Sequence, residues 1–178
     1  MDSIRWSEGK FGAKDFVIDS QLRQRPVTGA VWLPKNSCES NTVVLCGHGA
    51  SGDRYQVPIP YLVKHLVDQH IIEVLSLDGP VHGLRKVEPG GRVAFFQEMM
   101  RPSFIDEMVS DWLIAVDLVL EEKNIEISTL GYFGLSMGTM FGVPLLASQL
   151  EFSASVIGLC GCSGAASMIR ERLSLIHI

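Results

Sequence analysis

The sequence predicts an α/β domain: a mostly parallel sheet with helices on both faces. Short β-branched runs alternate with amphipathic stretches along the chain. Each of the stronger runs stops at a glycine-rich loop, where α/β folds place their ligands. Between Ile127 and Ile169 the only charged residue is Glu151, as expected of strands covered on both faces. That stretch has the apolar length of a membrane span. Its many glycines and Pro144 break it, so it reads as buried core and no membrane partner is expected.

A chain of 178 residues suits one domain spanning 1–178. Its 47% apolar and 20% charged residues exclude a disordered chain. Twenty acidic against fifteen basic residues leave a net charge of −5 with no basic stripe, which excludes a nucleic-acid partner. The opening MDSIRWSEGK has no apolar core of a secretory signal, so a cytoplasmic location is expected. Cys38, Cys46, Cys160 and Cys162 fit neither a zinc spacing nor a CxxC redox pair. Cys46 and Cys160 close apolar runs and read as buried, reduced packing residues.

Two runs open the fold, Asp15–Asp19 and Gly29–Leu33, both expected as half-exposed strands. Pro34–Ser37 reads as a turn. Four stronger strands follow at 42–46, 71–77, 129–133 and 155–160. Between them, Ile59, Leu62, Val63, Leu66 and Val67 keep helical spacing. A longer stripe runs from Ile105 through Trp112 to Leu120, with Asp106, Asp111 and Asp117 among the acids largely beside it. Ser103, with Asp106 three residues on, suits an N-cap. A third helix should run from the Ser136 turn to about Gln149, kinked at Pro144 because proline lacks the donor for the carbonyl four residues back.

Three short motifs carry the chemistry. Gly134-Leu135-Ser136-Met137-Gly138 matches GxSxG, after an uncharged strand and before a helix. A serine on so sharp a turn needs very small neighbours two residues away, and Gly134 and Gly138 supply them. The helix start then places free N–H groups beside the hydroxyl. Gly47-His48-Gly49-Ala50-Ser51-Gly52 follows the 42–46 strand. Asp78-Gly79-Pro80-Val81-His82-Gly83 follows the 71–77 strand.

With these three motifs, the chain from about Phe16 to Gly164 resembles the α/β-hydrolase family, in the branch of dienelactone hydrolases and prolyl-oligopeptidase-like esterases. The resemblance implies that Ser136 is the nucleophile. It implies an oxyanion hole made by the backbone N–H groups of Ala50 and Met137, with His48 and Gly49 bracing the loop. It places Asp78 and His82 at the pocket rim or as braces of their turn. Residues 85–102 form either a lid or pocket-shaping segment, or a short helix packed on the core. A small-molecule ester is the implied substrate, with no cofactor and no metal. Ser136 stands where dienelactone hydrolases carry cysteine, which argues against that substrate.

The chain departs from the family after its sixth expected strand. The family's order is serine, then acid, then histidine, and the last two strands that precede the acid and the histidine are missing here. Glu171 and His177 are the only such residues in 165–178, and neither follows a strand. A hydrolase without its last strands is therefore expected, weak or inactive by itself. The 155–160 strand would form a flat apolar sheet edge, open to a partner. The alternative function is thus a non-catalytic, partner-binding module. In the family's strand order Cys46 and Cys160 lie about 10 Å apart, too far for a disulfide.

Overall fold

Alternating apolar side chains build the sheet and fix which face each residue serves. The computed structural model describes residues 2–19, 25–34, 41–70, 72–88 and 90–159. Its strands are β1 (Ser3–Glu8), β2 (Lys14–Asp19), β3 (Val27–Trp32), β4 (Thr42–Gly47), β5 (Glu73–Leu77), β6 (Thr129–Leu135) and β7 (Ala154–Gly158). The helices are α1 (Ile59–His70), α2 (Gly91–Met99), α3 (Phe104–Lys123) and α4 (Met137–Leu146). The strands lie in the order β1-β2-β3-β5-β4-β6-β7. β5, β4, β6 and β7 run parallel, while β1, β2 and β3 form an antiparallel meander joined to β5.

Each face of the sheet has its own core. On one, Val43, Leu45, Leu75 and Leu77 pack against Met108, Trp112 and Val116 of α3 and Phe141 and Leu145 of α4. On the other, Trp32, Cys46 and Val74 pack against Ile59, Val63 and Val67 of α1. Residues one apart in β4 and β5 thus serve opposite cores, as the period-2 geometry of a strand requires. Burying these side chains contributes roughly 1.5–3 kcal/mol each. Among the described residues no helix is long and apolar enough to cross a membrane.

Several expectations need correction. β3 is buried at all six positions rather than half-exposed. It lies between β2 and β5 with both faces covered, so it needs no polar alternation. β1 was not expected. Its apolar signal is only Ile4 and Trp6, which reach the core from a strand otherwise exposed. Asp111 is buried rather than beside the α3 stripe, because Arg85 Nη2 meets its carboxylate at 2.9 Å. Ser103 does occupy the N-cap position of α3, but its hydroxyl donates to Glu107 Oε1 at 2.6 Å and caps no backbone N–H. α4 stops at Leu146, two residues after Pro144, instead of continuing to Gln149.

Among the described residues β7 ends the sheet opposite β1, with Val156 62% and Ile157 46% exposed. Cys38, Cys160, Cys162, Glu171 and His177 lie outside the described residues.

Candidate active site

The central strand β4 connects outward in both directions, to β5 on one side and β6 on the other. Such a reversal of strand order opens a crevice at the carboxyl ends of the strands. A cleft of about 990 Å³ occupies this place, lined by Gly49, Ala50, His82, Phe95, Phe96 and Ser136 among others.

Ser136 stands between β6 and α4 with φ 53 and ψ −110. A non-glycine residue at such angles holds strain of about 1–3 kcal/mol. The surroundings enforce the turn. Ser136 N–H donates to the Gly158 carbonyl at 2.8 Å. The Thr139 hydroxyl lies 2.9 Å from the Gly134 carbonyl and 2.8 Å from that of Gly158. The Tyr132 hydroxyl donates to the Gly138 carbonyl at 2.5 Å, and burial pushes this phenol well above its ordinary pKa. The two motif glycines are sterically required. A Cβ on Gly134 would meet Tyr132 Cε1 at 2.6 Å, and one on Gly138 would meet the Gly47 carbonyl oxygen at 2.2 Å. Met137 is the first residue of α4, so its N–H has no acceptor within the helix.

The 47–52 loop closes on this turn from β4. A Cβ on Gly49 would lie 3.7 Å from Ser136 Cβ. Gly49 N–H donates to Gln56 Oε1 at 2.7 Å. The next N–H, that of Ala50, has no protein acceptor among the described residues. His48 is buried, and Gly79 N–H donates to its Nε2 at 2.8 Å. The ring proton therefore sits on Nδ1, which donates to the Gly49 carbonyl at 2.7 Å. Burial holds this imidazole neutral by lowering its pKa to about 4.

The 78–83 turn packs against the same loop. Asp78 does not line the cleft rim: it is wholly buried, because the turn folds over its carboxylate. Oδ2 accepts from Thr28 Oγ1 at 2.7 Å, Arg54 Nη1 at 2.8 Å and Leu84 N at 3.1 Å. Oδ1 accepts from Arg54 N at 3.0 Å. Arg54 also binds Asp15 through Nε at 3.0 Å and Nη2 at 2.7 Å, and Tyr55 donates its hydroxyl to Asp15. Burial opposes the Arg54 charge, but the Asp15 hydrogen bond and both carboxylates outweigh it and raise its pKa. His82 does reach the cleft, with its ring nitrogens directed at the Pro80 and Ala50 carbonyls.

Residues 85–102 contain α2, which serves two surfaces. Ala94 and Glu98 are buried, and Phe95 and Met99 pack on the core. Arg92, Phe95 and Phe96 wall the cleft. Gln56, Arg54 and Thr139 had no motif to announce them: each is a polar residue in or beside a loop motif, meaningful only once its partner is in place. Among the described residues no three His, Cys, Asp or Glu side chains gather to hold a metal ion.

No protein-family model matches the sequence, and no curated protein matches it. Solved structures do. The PEG-bound structure of a cold-adapted esterase from an Arctic intertidal metagenomic library is 28% identical, with a TM-score of 0.69 over 95% of this chain and 71% of that one. An esterase of Pyrococcus furiosus is 18% identical, with a TM-score of 0.57 over 94% of this chain and 57% of that one. A putative acetyl xylan esterase from Bacteroides fragilis is 17% identical, with a TM-score of 0.55 over 80% of this chain and 45% of that one. The two more distant likenesses concern the fold alone. Sheet order, helices on both faces and these likenesses define an α/β-hydrolase fold. The chain thus has the α/β-hydrolase fold, and the solved structures it resembles are esterases.

Proposed function

We propose that the chain is a serine hydrolase of carboxylic esters, with Ser136 as nucleophile. The observation that carries this reading is the strained Ser136 backbone, φ 53, held against the Gly49–Ala50 loop at the mouth of the cleft. Ser136 Oγ would attack the ester carbonyl carbon while its proton passes to a base. The carbonyl oxygen becomes an oxyanion, held by the N–H groups of Ala50 and Met137. Such donors act most strongly on charge that develops in the transition state, and losing one costs about 10²–10³ in rate. Collapse breaks the ester C–O bond, the alcohol leaves with a proton, and water then releases the acid from the serine.

His48 and His82 turn their ring nitrogens to backbone groups, so neither is assigned as the base. The base and its carboxylate partner are placed outside the described residues. Phe95, Phe96 and Val57 make one wall of the cleft apolar, which suits an uncharged acyl or alcohol group.

A second reading is a non-catalytic module that binds a partner along β7. The exposure of Val156 and Ile157 on that strand supports it. A fluorophosphonate probe separates the two. Labelling of the folded chain, slow where no base stands beside Ser136 and lost in Ser136→Ala, is the expected result. A folded chain that takes no label would overturn the catalytic reading and favour the module.

A further inference from the structure

We propose that His82 is a positioning residue of the oxyanion loop: with His48 it clamps both peptide groups flanking Ala50 and so sets where the Ala50 N–H points. The catalytic consequence rests on the ester-hydrolase reading, but the clamp itself does not.

The argument starts from peptide planarity. In a trans peptide the C=O and N–H lie in one plane and point in opposite directions. The carbonyl of Gly49 and the N–H of Ala50 belong to the same peptide. His48 Nδ1 holds that carbonyl at 2.7 Å, which aims the Ala50 N–H the other way. The next peptide carries the Ala50 carbonyl, and His82 Nε2 lies 2.9 Å from it. With both flanking planes fixed, neither backbone torsion of Ala50 is free to turn.

His82 is itself well held. It is 8% exposed, and its Nδ1 also lies 2.6 Å from the Pro80 carbonyl. A neutral ring can donate to only one of the two carbonyls, so the clamp requires the proton on Nε2. The His48 ring packs edge-on against it at 5.3 Å between centroids, and Phe95 of α2 does the same at 5.3 Å. The turn beneath is tied to Asp78 through Leu84 N–H. His48 reaches the same turn by accepting from Gly79 N–H. The two histidines therefore link the loop after β4 to the turn after β5, with the Ala50 peptides between them. Neither ring needs to touch substrate for this role.

Ring ¹⁵N spectroscopy at pH 7 tests the clamp directly on the full chain. The expected result is a protonated Nε2 on His82, and on His48 a protonated Nδ1 with an unprotonated Nε2. An unprotonated His82 Nε2 cannot donate to the Ala50 carbonyl and would overturn the proposal, whatever the activity. The catalytic consequence is read from the rate of fluorophosphonate labelling at Ser136. His82→Leu, with folding checked by its unfolding midpoint, should label about 10- to 100-fold more slowly. His82→Gln keeps an N–H donor on a side chain of similar reach and should recover most of that loss. Equal labelling by wild type and a folded His82→Leu would overturn the positioning role. If the wild type takes no label, the ester-hydrolase reading fails, and the ring spectra still decide the clamp.

Discussion

Gly138 in α4 faces Gly47 at the end of β4 so closely that a Cβ on Gly138 would stand 2.2 Å from the Gly47 carbonyl oxygen and 2.9 Å from its Cα. This contact brings the first turn of α4 down onto the central strand. It seats the Ser136 turn beside the loop that begins at Gly47. The obstacle to a larger residue is backbone, which cannot rotate aside as a side chain would.

Gly138→Ala should therefore destabilise the chain by about 3 kcal/mol or more, at the upper end of overpacking costs. A urea unfolding curve measures the loss. Fluorophosphonate labelling of any folded fraction should fall too, because the helix start and the Gly47–Ala50 loop are forced apart together.

The strain at Ser136 can be separated from its chemistry. Ser136→Ala and Ser136→Gly both remove the hydroxyl and should both abolish labelling. Alanine keeps the cost of φ 53, whereas glycine tolerates it. The strain is worth about 1–3 kcal/mol, and glycine's looser unfolded chain gives back about 0.5–1 kcal/mol. Ser136→Gly should thus be more stable than Ser136→Ala by about 1 kcal/mol, measured by denaturant midpoint at equal slope.

Arg54 lies between two carboxylates in a buried setting, with Asp78 wholly buried and Asp15 nearly so. Arg54→Met removes the one cation that bridges both among the described residues. The uncompensated charges should cost about 3–5 kcal/mol. Adding Asp15→Asn should recover part of that loss. Full stability in the single variant would contradict this account of the network.

The pH dependence of stability has a sign set by His48. Its folded pKa, about 4, lies below its ordinary value of 6.5 because burial disfavours the charged ring. Between these values the unfolded chain binds a proton that the folded chain does not. Stability contributed by the neutral ring is therefore complete above about pH 6.5 and is lost as pH falls toward 4, at up to about 1.4 kcal/mol per pH unit. Thermal unfolding across this window should show the fall. His48→Asn should start less stable but show a shallower slope.

How much of this was legible in the sequence depended on the range of the interactions involved. The Ser136 turn was legible because Gly134, Gly138 and the flanking strand and helix are all local. The two helical stripes were legible for the same reason: α1 and α3 bury the apolar faces their spacing announced. The choice between rim and brace for Asp78 stayed open because its partners Thr28 and Arg54 lie 50 and 24 residues away, and a motif cannot show which way its carboxylate turns. β3 was misjudged because burial on both faces comes from neighbours in the sheet, not from its own alternation. The paired roles of His48 and His82 were hidden because they lie in different motifs, joined only where β4 and β5 end side by side.

Cys46 gives this architecture an internal clock. It sits in the middle of the sheet, sealed beneath α1, and burial pushes its thiol up to about 12. A thiol so protonated and so enclosed is silent toward an alkylating reagent while the sheet is closed. Each modification at Cys46 would mark one opening of β4, the strand whose end carries the Gly47–Ala50 loop. Locating the alkylated peptide by mass spectrometry over time would thus record how long the centre of the molecule stays shut, without an added dye or an engineered residue.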